Sequence, residues 1–216
     1  HEAGALVYVD GVHYAAHHLV DVPALGADLF VSSPYKYLGP HCGVLAAAPE
    51  FLETLRPDKL VPSTDVVPER FEFGTLPYEI LAGATAAVDF LAAMDPGTET
   101  SRRERLAHSL DALHEHELTL RARLEEGLRA LGDAVTVHSK APDRTPTLLM
   151  SLGGARRARG PDPPRRAGRG GTGRIVLRVR AFTALKFEDP ALRVGLAPYN
   201  TADEVDRLLD GLADFL

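Results

Sequence analysis

The chain is nearly without cysteine: Cys42 is the only one in 216 residues. No internal disulfide can form, which fits a reducing cytoplasm. No apolar run approaches the ~20 residues that a bilayer-spanning helix needs, so no membrane partner is expected. The opening His1-Glu2-Ala3-Gly4 has neither the basic n-region nor the apolar h-region of a signal peptide. An initiator Met is lacking too, so the expectation is a chain that begins inside a longer protein. Excess positive charge is also absent. The 24 Lys and Arg residues face 30 Asp and Glu, a net charge of -6 that argues against a nucleic-acid partner.

What is present is ordinary for a globular protein, with 45% apolar and 25% charged residues. The length allows a substantial core, and one domain plus a smaller one is the natural division. Charge is unevenly spread: residues 156–180 hold nine arginines and one acid, Asp162. This Arg/Gly/Pro block shows no helical or strand period before Ile175. It reads as a basic patch for RNA or anionic lipid, as an irregular loop, or as a frame-shifted stretch of a GC-rich gene. No function is hung on it.

Ala5–Val9 is a short apolar run ending in Asp10-Gly11, the pattern of a buried strand followed by a turn. Val22–Ala27 is expected to form a short helix. Asp28–Ser32 and Gly43–Ala47 are expected as further strands, giving an α/β layer with a mostly parallel sheet and flanking helices. Glu79–Met94 reads as a helix stopped by Asp95-Pro96-Gly97. A long helix follows over Ser101–Leu131, opened by a capping-box spacing at Ser101 and Glu104 and striped with leucines at helical intervals. Val135–His138, Thr147–Ser151, Ile175–Val179 and Leu192–Leu196 read as strands of a small α+β domain. Thr201 and Glu204 form a second capping box ahead of a final amphipathic helix. The boundary is expected near residues 95–100, giving domains 1–97 and 98–216.

Two strand ends carry the chemistry. Asp10 ends the first strand, where open α/β sheets place their ligands, although taken alone an Asp-Gly there is a turn. Lys36 follows the second strand in Ser32-Ser33-Pro34-Tyr35-Lys36-Tyr37-Leu38-Gly39-Pro40. A lysine forms an imine only when enough of it is neutral, and nearby hydroxyls suit a phosphate. Alone, this lysine is a solvated loop residue; the signal lies in an acid on one strand end and Ser-Ser-x-x-Lys on the other. His13, His17 and His18 have helical spacing, but acid or cysteine partners for a metal are missing, so no metal is expected.

Val9-Asp10-Gly11-Val12-His13, then Leu25-Gly26-Ala27-Asp28, then Ser33-x-x-Lys36-x-x-Gly39-Pro40 resembles the cofactor-binding run of class V aminotransferases and cysteine desulfurases. These are fold-type I enzymes dependent on pyridoxal 5'-phosphate (PLP). The similarity resumes at Arg70-Phe-Glu-Phe-Gly74-Thr75 and again from Leu192-Arg193 to Asp206. It covers most of residues 1–95 and 187–216, and implies the C-terminal portion of the large PLP-binding domain followed by the small domain.

Carried over residue by residue, the resemblance implies that Asp10 pairs with the pyridine nitrogen and His13 bonds the ring's phenolic oxygen. Ser33 would bind phosphate, and Lys36 would carry the cofactor as an internal aldimine. Gly74 and Thr75 would reach the phosphate of a neighbouring subunit, so a homodimer is part of the expectation. Arg193 would clamp the carboxylate of a small amino-acid substrate; alone, it reads as a strand-edge surface arginine. The implied activity is transamination or β-elimination. Two alternatives stay open: sulfur transfer through Cys42, and a catalytically incomplete fragment. Desulfurases carry their nucleophilic cysteine in a C-terminal segment, and this chain has none there.

Overall fold

A computed structural model of the chain describes residues 1–72, 74–153 and 191–216. Two compact units result, His1–His114 and Glu115–Leu216. In the first, strands β1 (Tyr8–Asp10), β2 (Leu29–Ser32) and β3 (Val44–Ala47) form one sheet in the order β1-β2-β3. The β1 and β2 strands are parallel, with Asp10 opposite Val31. The β3 strand runs antiparallel to β2, with Ser32 opposite Val44. The mostly parallel sheet expected from the sequence thus includes one antiparallel pair, for a physical reason. Residues 33–43 are too short a link to hold a crossover helix, which parallel neighbours need and antiparallel ones do not.

Val22–Ala27 closes a single turn and not a helix. The Asp21 carboxylate accepts the Ala24 N–H at 3.0 Å, and the Asp21 carbonyl accepts the Leu25 N–H at 3.0 Å. Helix α1 (Pro49–Thr54) starts on a proline, whose missing N–H costs nothing at that position. Helix α2 (Tyr78–Leu91) buries Ala87 and Leu91. Helix α3 (Arg102–Ala130) opens on the expected box: the Ser101 hydroxyl accepts the Glu104 N–H, and the Glu104 carboxylate accepts the Ser101 N–H, both at 3.2 Å.

The division between units falls inside α3, beyond the 97/98 break expected from Asp95-Pro96-Gly97. The first turns of α3 are tied back to that break. Ser109 Oγ accepts the Asp95 N–H at 3.0 Å and donates to the Asp95 carbonyl at 2.9 Å. Its later turns belong to another core.

That second core grows from the leucine stripe. Leu120, Leu124 and Leu128 recur every four residues, so they share one face of α3 and are buried together. They pack with Leu148, Met150 and Leu152 of strand β5 (Thr147–Leu152), and with Val205 and Leu212 of helix α4 (Ala202–Phe215). The β5 strand is central, paired antiparallel to β4 (Val135–Val137) and to β6 (Ala191–Gly195). Arg123 of α3 grips Asp206 of α4 with two bonds of 2.6 and 2.7 Å, and holds its carboxyl below the usual range. The expected strand at Ile175–Val179 and the arginine block lie outside the described residues.

Thr201 and Glu204 complete the capping box that opens α4. Glu204's carboxyl is held below the ordinary range, first by the Asn200 side-chain amide and then by the Thr201 N–H, against a smaller opposing effect of burial. Because the folded pKa is depressed, this contribution is present above the unfolded value of about 4.3 and is lost as pH falls through the folded value. Glu204→Gln keeps the amide geometry without the charge. Its urea midpoint should therefore lie below wild type near neutrality, and the gap should narrow as pH drops below the unfolded value. A gap that stays constant with pH would contradict the assignment.

Candidate active site

The parallel pairing of β1 and β2 sends both chains off the same sheet edge. At that edge the Gly11 N–H donates to the Val31 carbonyl at 2.9 Å, carrying the pairing one residue past β1. Gly11 is there because of what faces it: a Cβ at this position would meet the buried Phe30 ring at 2.0 Å. Asp10 is exposed, and its Oδ1 accepts the Val12 N–H at 3.1 Å, the local bond that starts many turns. The carboxylate therefore stands at the strand end.

His13 precedes a 3-10 turn over Tyr14–Ala16. Its ring meets that of His17 edge-on, with centroids 4.7 Å apart, and His17 is buried. Tyr14 stacks on His18 at 4.9 Å, and His18 lies 4.7 Å from the His114 ring of α3. The three histidines thus form ring contacts that pin the turn.

Past β2, Ser33 is extended and its hydroxyl makes no cap bond. A second 3-10 turn, Pro34–Tyr37, carries Lys36 and contacts the Tyr14–Ala16 turn. Among the bonds that close it, the Lys36 N–H donates to the Ser33 carbonyl at 3.0 Å, and the Leu38 and Gly39 N–H groups to the Pro34 carbonyl, the latter at 2.8 Å. Gly39 is constrained as well, since a Cβ there would lie 2.8 Å from the Pro34 Cβ and 3.0 Å from its carbonyl oxygen. Lys36 itself is exposed. Among the described residues it has no carboxylate partner; its Nζ lies 5.2 Å from the centre of the Tyr35 ring.

Asp28, in the Gly-Ala-Asp segment, is structural: Oδ2 accepts the Val7 N–H at 2.7 Å and stands 3.0 Å from His1 Nε2. This carboxylate ties the start of β1 to the start of β2. Asp10, His13, Ser33 and Lys36 thus lie on two adjoining segments of the first unit. Gly74 and Thr75 are on a separate exposed stretch after the Glu69–Phe71 turn. Arg193 belongs to the second unit, on β6 opposite Leu149, exposed between the half-buried Leu192 and Val194. Cys42 is a free, half-buried thiol.

The sequence reading assigned no role to Arg70, which is a buried brace. Its guanidinium donates to the Asp65 carbonyl at 2.7 Å, the Leu55 carbonyl at 3.1 Å and Glu53 Oε2 at 2.6 Å. It also lines a polar cleft of about 320 Å³ with Arg56, Pro57, Lys59 and Asp65. Lys59 bonds Asp65 there and holds its carboxyl below the ordinary range. Only the Arg-Phe-Glu spelling signalled this residue, and a spelling does not report burial.

The sequence pattern of the family Aminotransferase class-V matches residues 1–158. The chain belongs to the class V aminotransferase family. Among its class V relatives, a cysteine desulfurase of Klebsiella pneumoniae is 31% identical over 230 aligned positions, covering 98% of this chain and 51% of that protein. An uncharacterised protein of Mycobacterium tuberculosis is 30% identical, covering 99% and 53%. The apo structure of a cysteine desulfurase from Thermococcus onnurineus superimposes with a TM-score of 0.69 at 21% identity, covering 99% of this chain and 53% of that one. The fold is thus that of the C-terminal part of a fold-type I enzyme. The chain spans about half the length of the curated relatives it matches.

The Gly11–Phe30 contact is testable. Gly11→Ala should destabilise the protein by about 1–3 kcal/mol, the usual cost of overpacking. Much of that penalty should vanish when the same change is made in a Phe30→Leu background, as read by urea denaturation of the four proteins. Equal penalties in both backgrounds would remove the ring as the cause.

Proposed function

We propose that this chain supplies the lysine-bearing part of a pyridoxal 5'-phosphate site that acts on an amino acid by transamination or β-elimination. The observation that carries this reading is the parallel register of β1 and β2, from which the segments bearing Asp10 and Lys36 leave one sheet edge. Membership of the class V family supports the cofactor.

The donor set suits that cofactor. Its aldehyde needs an amine, its ring nitrogen an anion, and its phosphate hydroxyl or amide donors. Among the described residues, Lys36 offers an amine without an ion-pair partner, Asp10 a carboxylate that accepts the nearby Val12 N–H, and Ser33 a hydroxyl free of cap duty. Lys36 would hold the cofactor, with Asp10 at the ring nitrogen, His13 at the phenolic oxygen and Ser33 at the phosphate. Gly74 and Thr75 would serve the phosphate of a second subunit in a homodimer.

When bound, pyridoxal phosphate supplies an electron sink for chemistry at the substrate's α-carbon. Asp10 keeps the proton on the ring nitrogen, since a carboxylate beside it favours the charged form. Once displaced by the substrate's own amine, the Lys36 amine would take the proton from the substrate's α-carbon and carry it away from that carbon. Arg193 presents on the second unit the two-pronged donor that fits a carboxylate. A cytoplasmic setting belongs to the same reading; no helix among the described residues is long and apolar enough to cross a membrane.

Mixing the purified chain with pyridoxal phosphate should produce the long-wavelength absorbance band of a lysine-held cofactor, and Lys36→Ala should abolish it. Equal spectra from both proteins would take Lys36 out of the mechanism. Tight binding by this chain would also count against a catalytically incomplete fragment.

A second reading, sulfur transfer through Cys42, is favoured by relatives that are named cysteine desulfurases. It predicts sulfide release from cysteine that disappears in Cys42→Ser. Release that persists in that variant would leave Cys42 without a chemical role.

A further inference from the structure

Around Lys36 there is a contact that the cofactor reading does not use. Tyr35 and His41 stack with their ring centroids 5.1 Å apart and their planes within 5°. Lys36 Nζ lies 5.2 Å from the centroid of that same Tyr35 ring. The core does not fix the ring: Tyr35 is 45% exposed, and among the described residues His41 and Lys36 are its ring and charge contacts. The backbone brings the two rings together. Leu38 takes a left-handed φ of 68°, and Gly39 bonds back to Pro34, so the chain reverses between Tyr35 and His41.

We propose that His41 is a positioning residue that holds the Lys36 amine in place through the Tyr35 ring. The proposal rests on the reading of Lys36 as the reactive amine. An ammonium near an aromatic ring is drawn to its electron-rich face, but only a ring that stays put can locate it. An exposed tyrosine swings freely unless something holds it, and the His41 imidazole, parallel to it, is what does so here. A free lysine side chain explores many rotamers, and that freedom must be given up when its amine is captured. A perch on Tyr35 restricts the search beforehand, which is the ordinary benefit of preorganisation. His41 touches no reacting atom in this account; its effect passes through Tyr35.

The test uses the full chain with its four lysines labelled by reductive methylation with ¹³C-formaldehyde, no cofactor added. Lys36→Arg identifies the Lys36 methyl signal by its loss. In wild type that signal should be displaced upfield by the Tyr35 ring current. It should move to the position of a freely solvated lysine in Tyr35→Leu and in His41→Ala, and return in His41→Phe, which restores a stacking ring. The other lysine signals should stay put, reporting an intact fold. A Lys36 signal already at the solvated position in wild type, or one unmoved in His41→Ala, would overturn the proposal.

A second arm titrates the same proteins with pyridoxal phosphate. His41→Ala should weaken binding about 2- to 10-fold, the factor that ordering one free side chain costs, and His41→Phe should recover it. Equal affinities across the three would overturn the positioning role. Failure of wild type to bind at all strikes the cofactor reading alone, and the methyl signals then decide the role of His41.

Discussion

The parallel pairing of β1 with β2 is the constraint on which everything else at the site depends. Parallel neighbours end at the same edge, so whatever follows Asp10 and whatever follows Ser32 must emerge side by side. The register is held at both ends of the pair. Asp28 bonds the Val7 N–H where the strands begin, and the Gly11 N–H bonds the Val31 carbonyl where they finish. A slip of one residue would turn every side chain to the opposite face. It would also carry Gly11 off the Phe30 ring, the contact that admits no side chain there. The candidate residues are thus placed by strand geometry and by two short, tightly closed turns.

Much of the fold was legible in the sequence, and particular residues show why. Leucines four apart foretold both the long helix and the core that it builds, because helical spacing and burial are the same fact seen twice. The boxes at Ser101 with Glu104 and at Thr201 with Glu204 located two helix starts, since their bonds are local. Direction and partnership were less readable. The apolar run Val44–Ala47 announces a strand but not its antiparallel course, which depends on the length of the link before it. The Asp95-Pro96-Gly97 break does interrupt the helices, yet the units part within α3, because a helix of this length serves two cores.

The candidate site was legible as a set of residues more than as an arrangement. Asp10 and Lys36 stand out only together, since each alone is a turn acid and a loop lysine. The structure sets their segments on adjoining strands, while Arg193 falls in the second unit and Gly74 with Thr75 on a separate stretch. The Tyr35–His41 stack and the Arg70 brace escaped sequence reasoning because their meaning is in three dimensions. A tyrosine and a histidine six apart carry no period, and a buried arginine looks like any other. Around the sheet, Tyr8, Val44 and Leu45 remain exposed.

The central claim is that an acid and an amine, delivered by neighbouring strand ends, address one aromatic ring from two sides. A crystal structure of the chain grown with pyridoxal phosphate tests it most directly. The account predicts density continuous from Lys36 Nζ into the cofactor, with an Asp10 oxygen at hydrogen-bond distance, about 2.7–3.2 Å, from the ring nitrogen. A cofactor seated away from Lys36, or an Asp10 carboxylate facing a different cavity, would contradict it.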